Sequence, residues 1–173
     1  MDAYENMLTR RSVRKFERTP ITEAEVEKLL RAAMYAPSAC NRRPWEFIVI
    51  DDPAILAKLP EVHPHAPMAA QAPLSILVCG DVNREHPSGY WVVDCAAAVE
   101  NLLLAAHAIG LGAVWTGIYP REERIVGMQR LLNLPANIRP HALVVIGHAA
   151  ESPVTQERYE KERVHYNGFT AHP

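Results

Sequence analysis

The stretch YWVVDCAAAVENLLLAAHAI, from Tyr90 to Ile109, decides how the rest of this 173-residue chain is interpreted. We predict a helix, whose only plainly polar residues are Asp94, Glu100, Asn101 and His107. A helix that is apolar on most sides has to be buried on most sides. One core of this size rarely covers so much helix, so we expect a second subunit to cover the rest. A membrane span is the alternative, and two acidic residues within the run argue against it.

Length and composition fit one domain over residues 1–173. About half of the residues, 49%, are hydrophobic, and the net charge is −2, so the whole molecule does not resemble a polyanion binder. The first residues are charged and lack the apolar stretch of a signal peptide. Three cysteines at unmatched spacings argue against a disulfide framework. We therefore expect a reducing, cytoplasmic setting.

Helices and buried strands alternate along the chain outside this stretch. A helix over Thr22–Ala36 begins with a capping box and ends before Pro37, and Arg121–Leu132 is amphipathic. The predicted strands are Trp45–Ile50, Leu74–Cys79, Ala113–Trp115 and Ala142–Ile146, and Thr116-Gly117 is predicted to turn the chain. This order indicates an α/β or α+β sandwich with helices on both faces of one sheet.

Both ends of the chain carry groups that suit an anion. Five basic residues fall within nine positions: Arg10, Arg11, Arg14, Lys15 and Arg18. A solvated charged face is the alternative explanation. From Glu151 onward the chain is polar and poor in aliphatic residues, so we expect it to lie along another surface, such as a partner's. Aromatic residues are not interleaved with the arginines, which disfavours a nucleic-acid surface and favours one phosphorylated small ligand.

Several common motifs are absent or misplaced. Gly110-Leu-Gly112 follows a helix and precedes a strand, the reverse of a dinucleotide-binding loop. Neither a P-loop nor a nucleophile elbow occurs. A metal site from His63-Pro-His65 with His86 or Cys40 stays open, although the usual zinc spacings are missing. Cys40 as a nucleophile has no base that the sequence identifies.

Four segments together resemble the nitroreductase family of FMN proteins. They are Arg10-Arg-Ser-Val-Arg14, Ala36–Trp45, Gly110–Gly117 and Arg158–Tyr166, in the family's order over essentially the whole chain. The length resembles the family's short form. The resemblance implies an α+β nitroreductase-like sandwich, with a mixed, mainly antiparallel sheet flanked by helices. It also implies a homodimer whose C-terminal segments are exchanged.

The resemblance further implies a tightly bound FMN at each dimer interface. Electrons would pass from NADH or NADPH to a small acceptor, such as a nitroaromatic or quinone, in a ping-pong cycle. The implied cofactor-binding residues are Arg10, Ser12 and Arg158 towards the phosphate and ribityl end, Arg14 near the pyrimidine, Trp115, Thr116 and Gly117 along the N5 edge, and Pro37, Ser38 and Asn41 from the other subunit. Arg11 is also predicted to bind the cofactor. No catalytic side chain and no metal ligand is implied.

Three positions depart from the family pattern. Arg43 stands where glutamine is usual, Gln156 stands where a basic residue is often found, and Val62–Ala66 contains no obvious pyrimidine contact. The alternatives left open are another flavin reaction, such as dehalogenation, flavin fragmentation or ene-reduction, and a non-catalytic flavin-binding protein. Ser12, Asn41 and Gly117 also suit local turns, and Trp115 suits packing.

Overall fold

The computed structural model describes residues 2–169, which form helices around one four-stranded sheet. The helices are α1 (Ala3–Thr9), α2 (Glu23–Met34), α3 (Pro53–Leu56), α4 (Leu59–Val62), α5 (Trp91–Ala108) and α6 (Glu122–Leu131). The strands are β1 (Trp45–Ile50), β2 (Leu74–Asp81), β3 (Gly112–Gly117) and β4 (Ile138–Gly147). Short 3₁₀ turns lie at Ala39–Asn41, Pro67–Ala70 and Lys161–Arg163.

The sheet has the order β1-β2-β4-β3, and each neighbouring pair is antiparallel. The segment after α1 adds an isolated parallel bridge between Ser12 and Ala113 at the edge of β3. The backbone N–H of Val13 donates to the Ala113 carbonyl at 3.0 Å. A Cβ on Gly112 would lie 2.8 Å from Val13 Cγ1, so glycine allows this close approach. The predicted mainly antiparallel α+β sandwich is confirmed.

Both faces of the sheet are covered by apolar side chains. On one face α5 packs with α2, and on the other lie α3, α4 and α6. All residues of β2 except Asp81 are buried, as expected for a strand covered on both sides. Within α5, Val99, Leu102 and Ala106 are fully buried. This helix is long and apolar enough to cross a membrane by composition, yet it serves here as the core helix of the sheet.

The polar residues of α5 hold neighbouring elements in place. Asp94 is buried and accepts the backbone N–H of Ala39 at 2.9 Å. Asn101 lies seven residues, or about two turns, further along and donates to the Ala32 carbonyl of α2 at 3.0 Å. Both residues therefore brace α2 and the loop that follows it.

One stripe of α5 is only partly covered by its own chain. Val93 is 61% exposed, Ala97 and Leu104 are half-buried, and Glu100 is exposed. Spacings of three and four residues place these side chains along one side of the helix. The apolar character of α5 is thus satisfied on the sheet side and left open on this stripe.

The strand and helix ends refine the sequence predictions. The capping box of Thr22 and Glu25 is present, and β1 has the predicted bounds. The predicted turn at Thr116-Gly117 is wrong, because β3 continues through both residues, which pair with Leu143 and Ala142 of β4. The Thr116 hydroxyl donates to the Leu143 carbonyl at 2.8 Å, which secures this strand end.

The last strand is also longer than predicted. It begins at Ile138 and passes through Pro140, whose missing N–H is tolerated at a register shift opposite Val78 and Cys79. Beyond it, residues 152–164 are exposed and contain no strand or α-helix. Tyr166 and Phe169 are 83% and 84% exposed, so the tail has no core in its own chain, as predicted.

Candidate functional site

A cavity of about 700 Å³ lies beside the C-terminal end of β3. Its walls come from β3, from the loop between α4 and the 3₁₀ turn at Pro67–Ala70, and from the start of α6. The lining residues are Arg14, His63, Pro64, His65, Pro67, Met68, Val114, Trp115, Thr116, Gly117, Tyr119, Pro120, Arg121 and Arg124. The structure therefore brings together four predicted site residues, Arg14 and Trp115–Gly117.

Arg14 reaches this cavity because a carboxylate fixes its backbone. Glu151 Oε1 accepts the N–H of Arg14 at 2.6 Å and that of Lys15 at 3.2 Å. The guanidinium itself makes no ion pair within residues 2–169, and the residue is exposed. A fixed backbone with an unpaired charge is suited to an electron-rich ligand at the cavity edge.

The loop that contains His63, Pro64 and His65 forms one wall of the same cavity. The sequence analysis had found no flavin contact in this loop. His63 is only 1% exposed, and both of its ring nitrogens are buried, close to the Gly117 backbone. Burial, and then the positive charge of Arg124, lower the pKa of His63. The buried imidazole therefore forms part of the cavity wall.

Gly117 is not required by the conformation of its own chain. Its φ lies outside the left-handed region, and an added Cβ would meet no atom closer than the Tyr119 carbonyl oxygen at 4.0 Å. Arg124 Nη1 donates to the Gly117 carbonyl at 2.9 Å and holds the strand end. The open space over Gly117 allows close approach by a ligand.

A cluster of aromatic side chains packs around the C-terminal end of β3. The Trp115 ring lies 5.6 Å from that of His141, and Trp91 packs edge-to-face on Tyr119 at 5.2 Å between ring centroids. His141 is buried, and burial lowers its pKa to about 4. Trp115 and Tyr119 are thereby held as rigid walls of the cavity.

A second cavity, of about 510 Å³, holds three other predicted residues, Arg10, Arg11 and Arg158. Arg10 Nε lies 3.6 Å from Glu100 Oε1, and the Nε atoms of both Arg10 and Arg11 have no hydrogen-bond partner in the described chain. The Nη atoms of Arg11 donate to the Leu8 and Arg10 carbonyls at 2.7 Å and to the Gln156 carbonyl at 3.1 Å. Arg11 thus ties the tail to α1, while Arg10 lies beside Glu100.

Ser12 lies between the two cavities in the sequence of the basic segment, and it is half-buried where it bridges to Ala113. The remaining predicted residues, Pro37, Ser38 and Asn41, lie elsewhere. Ser38 Oγ accepts the Arg43 N–H at 2.9 Å in the loop that leads into β1. Two strands separate β1 from β3, so the loop is roughly 14 Å away across the sheet. One chain does not bring this loop to the arginines.

The sequence analysis gave no cofactor role to five cavity residues: His63, His65, Tyr119, Arg121 and Arg124. It considered the two histidines only as metal ligands, since they lie in a proline-rich loop without periodicity. Arg121 and Arg124 stand at the start of a segment that it described only as amphipathic. Among residues 2–169 no group of His, Cys, Asp and Glu side chains has the arrangement of a metal site.

The buried His141 makes stability depend on pH. Unfolded, it binds a proton below its ordinary pKa of 6.5, whereas folded it does so only near 4, so the folded state loses stability as pH falls between these values. From about pH 7 to about pH 5 we expect a loss of about 2 kcal/mol in unfolding free energy that is missing in His141→Gln. Urea titrations at both pH values measure it, with His86→Gln as the exposed control. Equal pH losses in wild type and His141→Gln would contradict the assignment.

Comparison with known proteins agrees with this geometry. A profile of the nitroreductase family matches residues 7–63 and 60–148. A Methanothermobacter thermautotrophicus protein assigned as an NADH dehydrogenase/NAD(P)H nitroreductase is 46% identical over 165 residues, covering 95% of this chain and 86% of the relative. A Parabacteroides distasonis protein with the same assignment has a crystal structure that superposes on this chain with a TM-score of 0.92 at 40% identity. The match covers 96% of this chain and 98% of the other. An assigned nitroreductase of Desulfovibrio desulfuricans in complex with FMN gives 0.83 at 29% identity, covering 98% and 99%. The chain belongs to the nitroreductase family.

Proposed function

We propose that two copies of this chain form a homodimer that binds FMN and passes electrons from NADH or NADPH to a small acceptor, such as a nitroaromatic or a quinone. The chain is an FMN-dependent NAD(P)H oxidoreductase, with residues 1–173 as a single FMN-binding domain. The observation that carries this is the cavity that joins Arg14 to Trp115–Gly117. The three free cysteines suit the reducing cytoplasm, where we place the protein.

The phosphate end of FMN fits the cavity of Arg10 and Arg158. Arg10 Nε is buried and has no hydrogen-bond partner in the described chain, while Arg158 is exposed towards the same space. Guanidinium groups bind phosphate oxygens in pairs, and a dianion compensates two adjacent positive charges. Ser12, on the strand edge between the cavities, supplies a hydroxyl towards the ribityl chain.

The ring end fits the cavity beside β3. Its volume of about 700 Å³ lies in the range of cofactor sites. The free space over Gly117 admits a flat ring, and Trp115 and Thr116 continue the same edge. Arg14 lies at the rim, where its charge faces the pyrimidine end of a ring placed along β3. His63 and His65 occupy the wall for which the sequence suggested no contact.

FMN, when bound, supplies the redox chemistry by taking a hydride from the donor and passing electrons to the acceptor. The chain supplies position and charge, and no side chain is assigned as acid or base. Trp115 and Tyr119 form one wall, which ring contacts with His141 and Trp91 hold in place. We propose that donor and acceptor bind in turn in this cavity, in a ping-pong cycle.

The partner subunit supplies what one chain lacks. The open stripe of α5 and the coreless tail both need cover, and Pro37, Ser38 and Asn41 lie across the sheet from the arginines. We propose that the stripes pack on each other, that the tails exchange, and that the Pro37–Asn41 loop completes the partner's FMN site. Two sites per dimer follow.

The purified protein should be yellow, and NADH or NADPH should bleach the flavin absorbance under argon. Addition of menadione or a nitroaromatic should then restore it. Absorbance at the flavin band measures both half-reactions separately. A flavin that stays oxidised with both donors would show a flavin-binding protein without this activity.

Sedimentation should show a dimer, because interfaces of this type often bury more than ~2,000 Å². Val93→Asp places a charge on the open α5 stripe and should give folded monomers, since the side chain is 61% exposed in one chain. Ala24→Asp, on the exposed start of α2, is the control and should remain dimeric. A wild-type monomer at nanomolar concentration would refute the dimer.

Arg158→Ala and Arg14→Gln should separate binding from redox tuning. Loss of a phosphate contact costs roughly 1.5–3 kcal/mol, so Arg158→Ala should weaken FMN binding about ten- to hundredfold. Arg10→Ala should behave similarly. Arg14→Gln removes a charge that favours the electron-rich ring, and a loss of ~1.4 kcal/mol lowers the midpoint potential by about 30 mV.

The measurements are FMN titration of the apoproteins and spectroelectrochemistry of the FMN-saturated proteins. The phosphate charge does not change on reduction, so Arg158→Ala at saturation should keep a potential near that of wild type. An Arg14→Gln potential equal to or above that of wild type would place Arg14 away from the ring. In that event the His63–His65 wall becomes the candidate for the pyrimidine contact.

A further inference from the structure

The cavity beside β3 carries more positive charge than FMN alone requires. Its fourteen lining residues, all within the described part of the chain, include Arg14, Arg121 and Arg124 but no Asp or Glu. The whole chain, in contrast, has a net charge of −2. A wall with only one sign of charge attracts ligands of the opposite sign.

Arg121 and Arg124 keep their charge available to a ligand. Arg121 is exposed at the N-cap of α6, and its guanidinium makes no hydrogen bond or ion pair within residues 2–169. Its acidic neighbour Glu122 is paired with Arg139 at 2.5 Å. The next, Glu123, lines a neighbouring cavity with Glu61, and Arg124 stands between the two cavities because it borders both.

Arg124 is placed by the strand end rather than by a carboxylate. Its Nη1 donates to the Gly117 carbonyl at 2.9 Å, which brings the guanidinium to the edge where a ring would lie. The other donors of its fork stay unused within the described chain. Arg121 and Arg124, three residues apart on α6, therefore present two charges on one side of the cavity.

The rest of the wall is flat and apolar. Pro64, Pro67, Met68, Tyr119 and Pro120 face the same space. Aromatic and proline surfaces with a few polar groups are typical of sites for small planar molecules. Next to them stands the buried His63.

We propose that the Arg121–Arg124 side of this cavity is an acceptor subsite for planar aromatic molecules that carry a carboxylate. Arg121 is the specificity-determining residue, and it pairs with the carboxylate while the apolar wall holds the ring. Arg124 adds charge and keeps Gly117 in place. The inference rests on the proposed function, because it names the class of acceptor that the same site selects.

Two nitroaromatics of nearly equal shape test the subsite. Enzyme reduced by one equivalent of dithionite is mixed with 4-nitrobenzoate or with the neutral 4-nitrobenzamide, and flavin reoxidation is followed by stopped flow. Two electrons and two protons convert the nitro group to a nitroso group and water. The ratio of the two second-order rate constants, compared between variants, cancels the intrinsic reactivity of the compounds.

Arg121→Gln should lower the benzoate-to-benzamide ratio about two- to fivefold, as expected for one partly exposed charge pair. The double variant with Arg121→Gln and Arg124→Gln should lower the benzoate-to-benzamide ratio further. Arg130→Gln changes the net charge equally on the same helix, but away from the cavity, and should leave the ratio unchanged. Added salt should reduce the wild-type ratio more than that of Arg121→Gln.

The donor phosphates are the other anions that these arginines could serve, so flavin reduction by NADH and NADPH is measured in the same variants. A slower donor step with an unchanged acceptor ratio would overturn the inference in favour of donor binding. An unchanged ratio with normal donor kinetics would overturn it as well. If the wild-type flavin is not bleached by either donor, the proposed function fails instead. Equilibrium binding of 4-nitrobenzoate and 4-nitrobenzamide to the oxidised holoprotein, in wild type and Arg121→Gln, then still tests the subsite.

Discussion

The pairing of residues 12 and 13 with the outer edge of β3 is the constraint on which the candidate site depends. Val13 donates to the Ala113 carbonyl, and its side chain packs where Gly112 has no Cβ. Alternate residues of an extended segment point to opposite sides. With Val13 buried, Ser12 and Arg14 are directed to the other side. Gly112 therefore matters to the site without touching it.

Because of the same pairing, neighbouring arginines of this segment make different contacts. Arg11 shares the side of Val13, and its Nη atoms donate to three carbonyls, including that of Gln156. The tail is thereby attached where Arg158 can approach Arg10. A basic run that looked uniform in the sequence thus contains an arginine that holds the tail, Arg11, an arginine that lies beside a carboxylate, Arg10, and one that makes no ion pair within residues 2–169, Arg14. The glutamine at position 156 takes part through its backbone, so a basic side chain there is not needed for this attachment.

The sequence predicted correctly those elements that local sequence determines by itself. The bounds of β1 and the capping box of α2 needed no tertiary information, and the periodic apolar pattern identified α5 and α6. The end of β3 was missed because Thr116 and Gly117 have turn chemistry, and only pairing with β4 overrides it. His63 was missed because a loop with prolines has no period from which burial can be inferred.

The Pro37–Asn41 loop, which we propose as part of the FMN site, lies apart from Arg10 within one chain. Asp94 holds that loop through the Ala39 N–H near the start of α5, while Arg10 lies near Glu100. Asp94 and Glu100 are six residues apart, which is about 9 Å along this helix. Two strands of the sheet also separate β1 from β3, so the loop and Arg10 stay apart within one chain. In the dimer that we propose, two copies of α5 pack through the stripe of Val93, Ala97 and Leu104, and a twofold axis there would bring the loop of one copy towards the arginines of the other. In that dimer, the apolar helix with which the sequence is first interpreted is also the element that joins the two halves of the site.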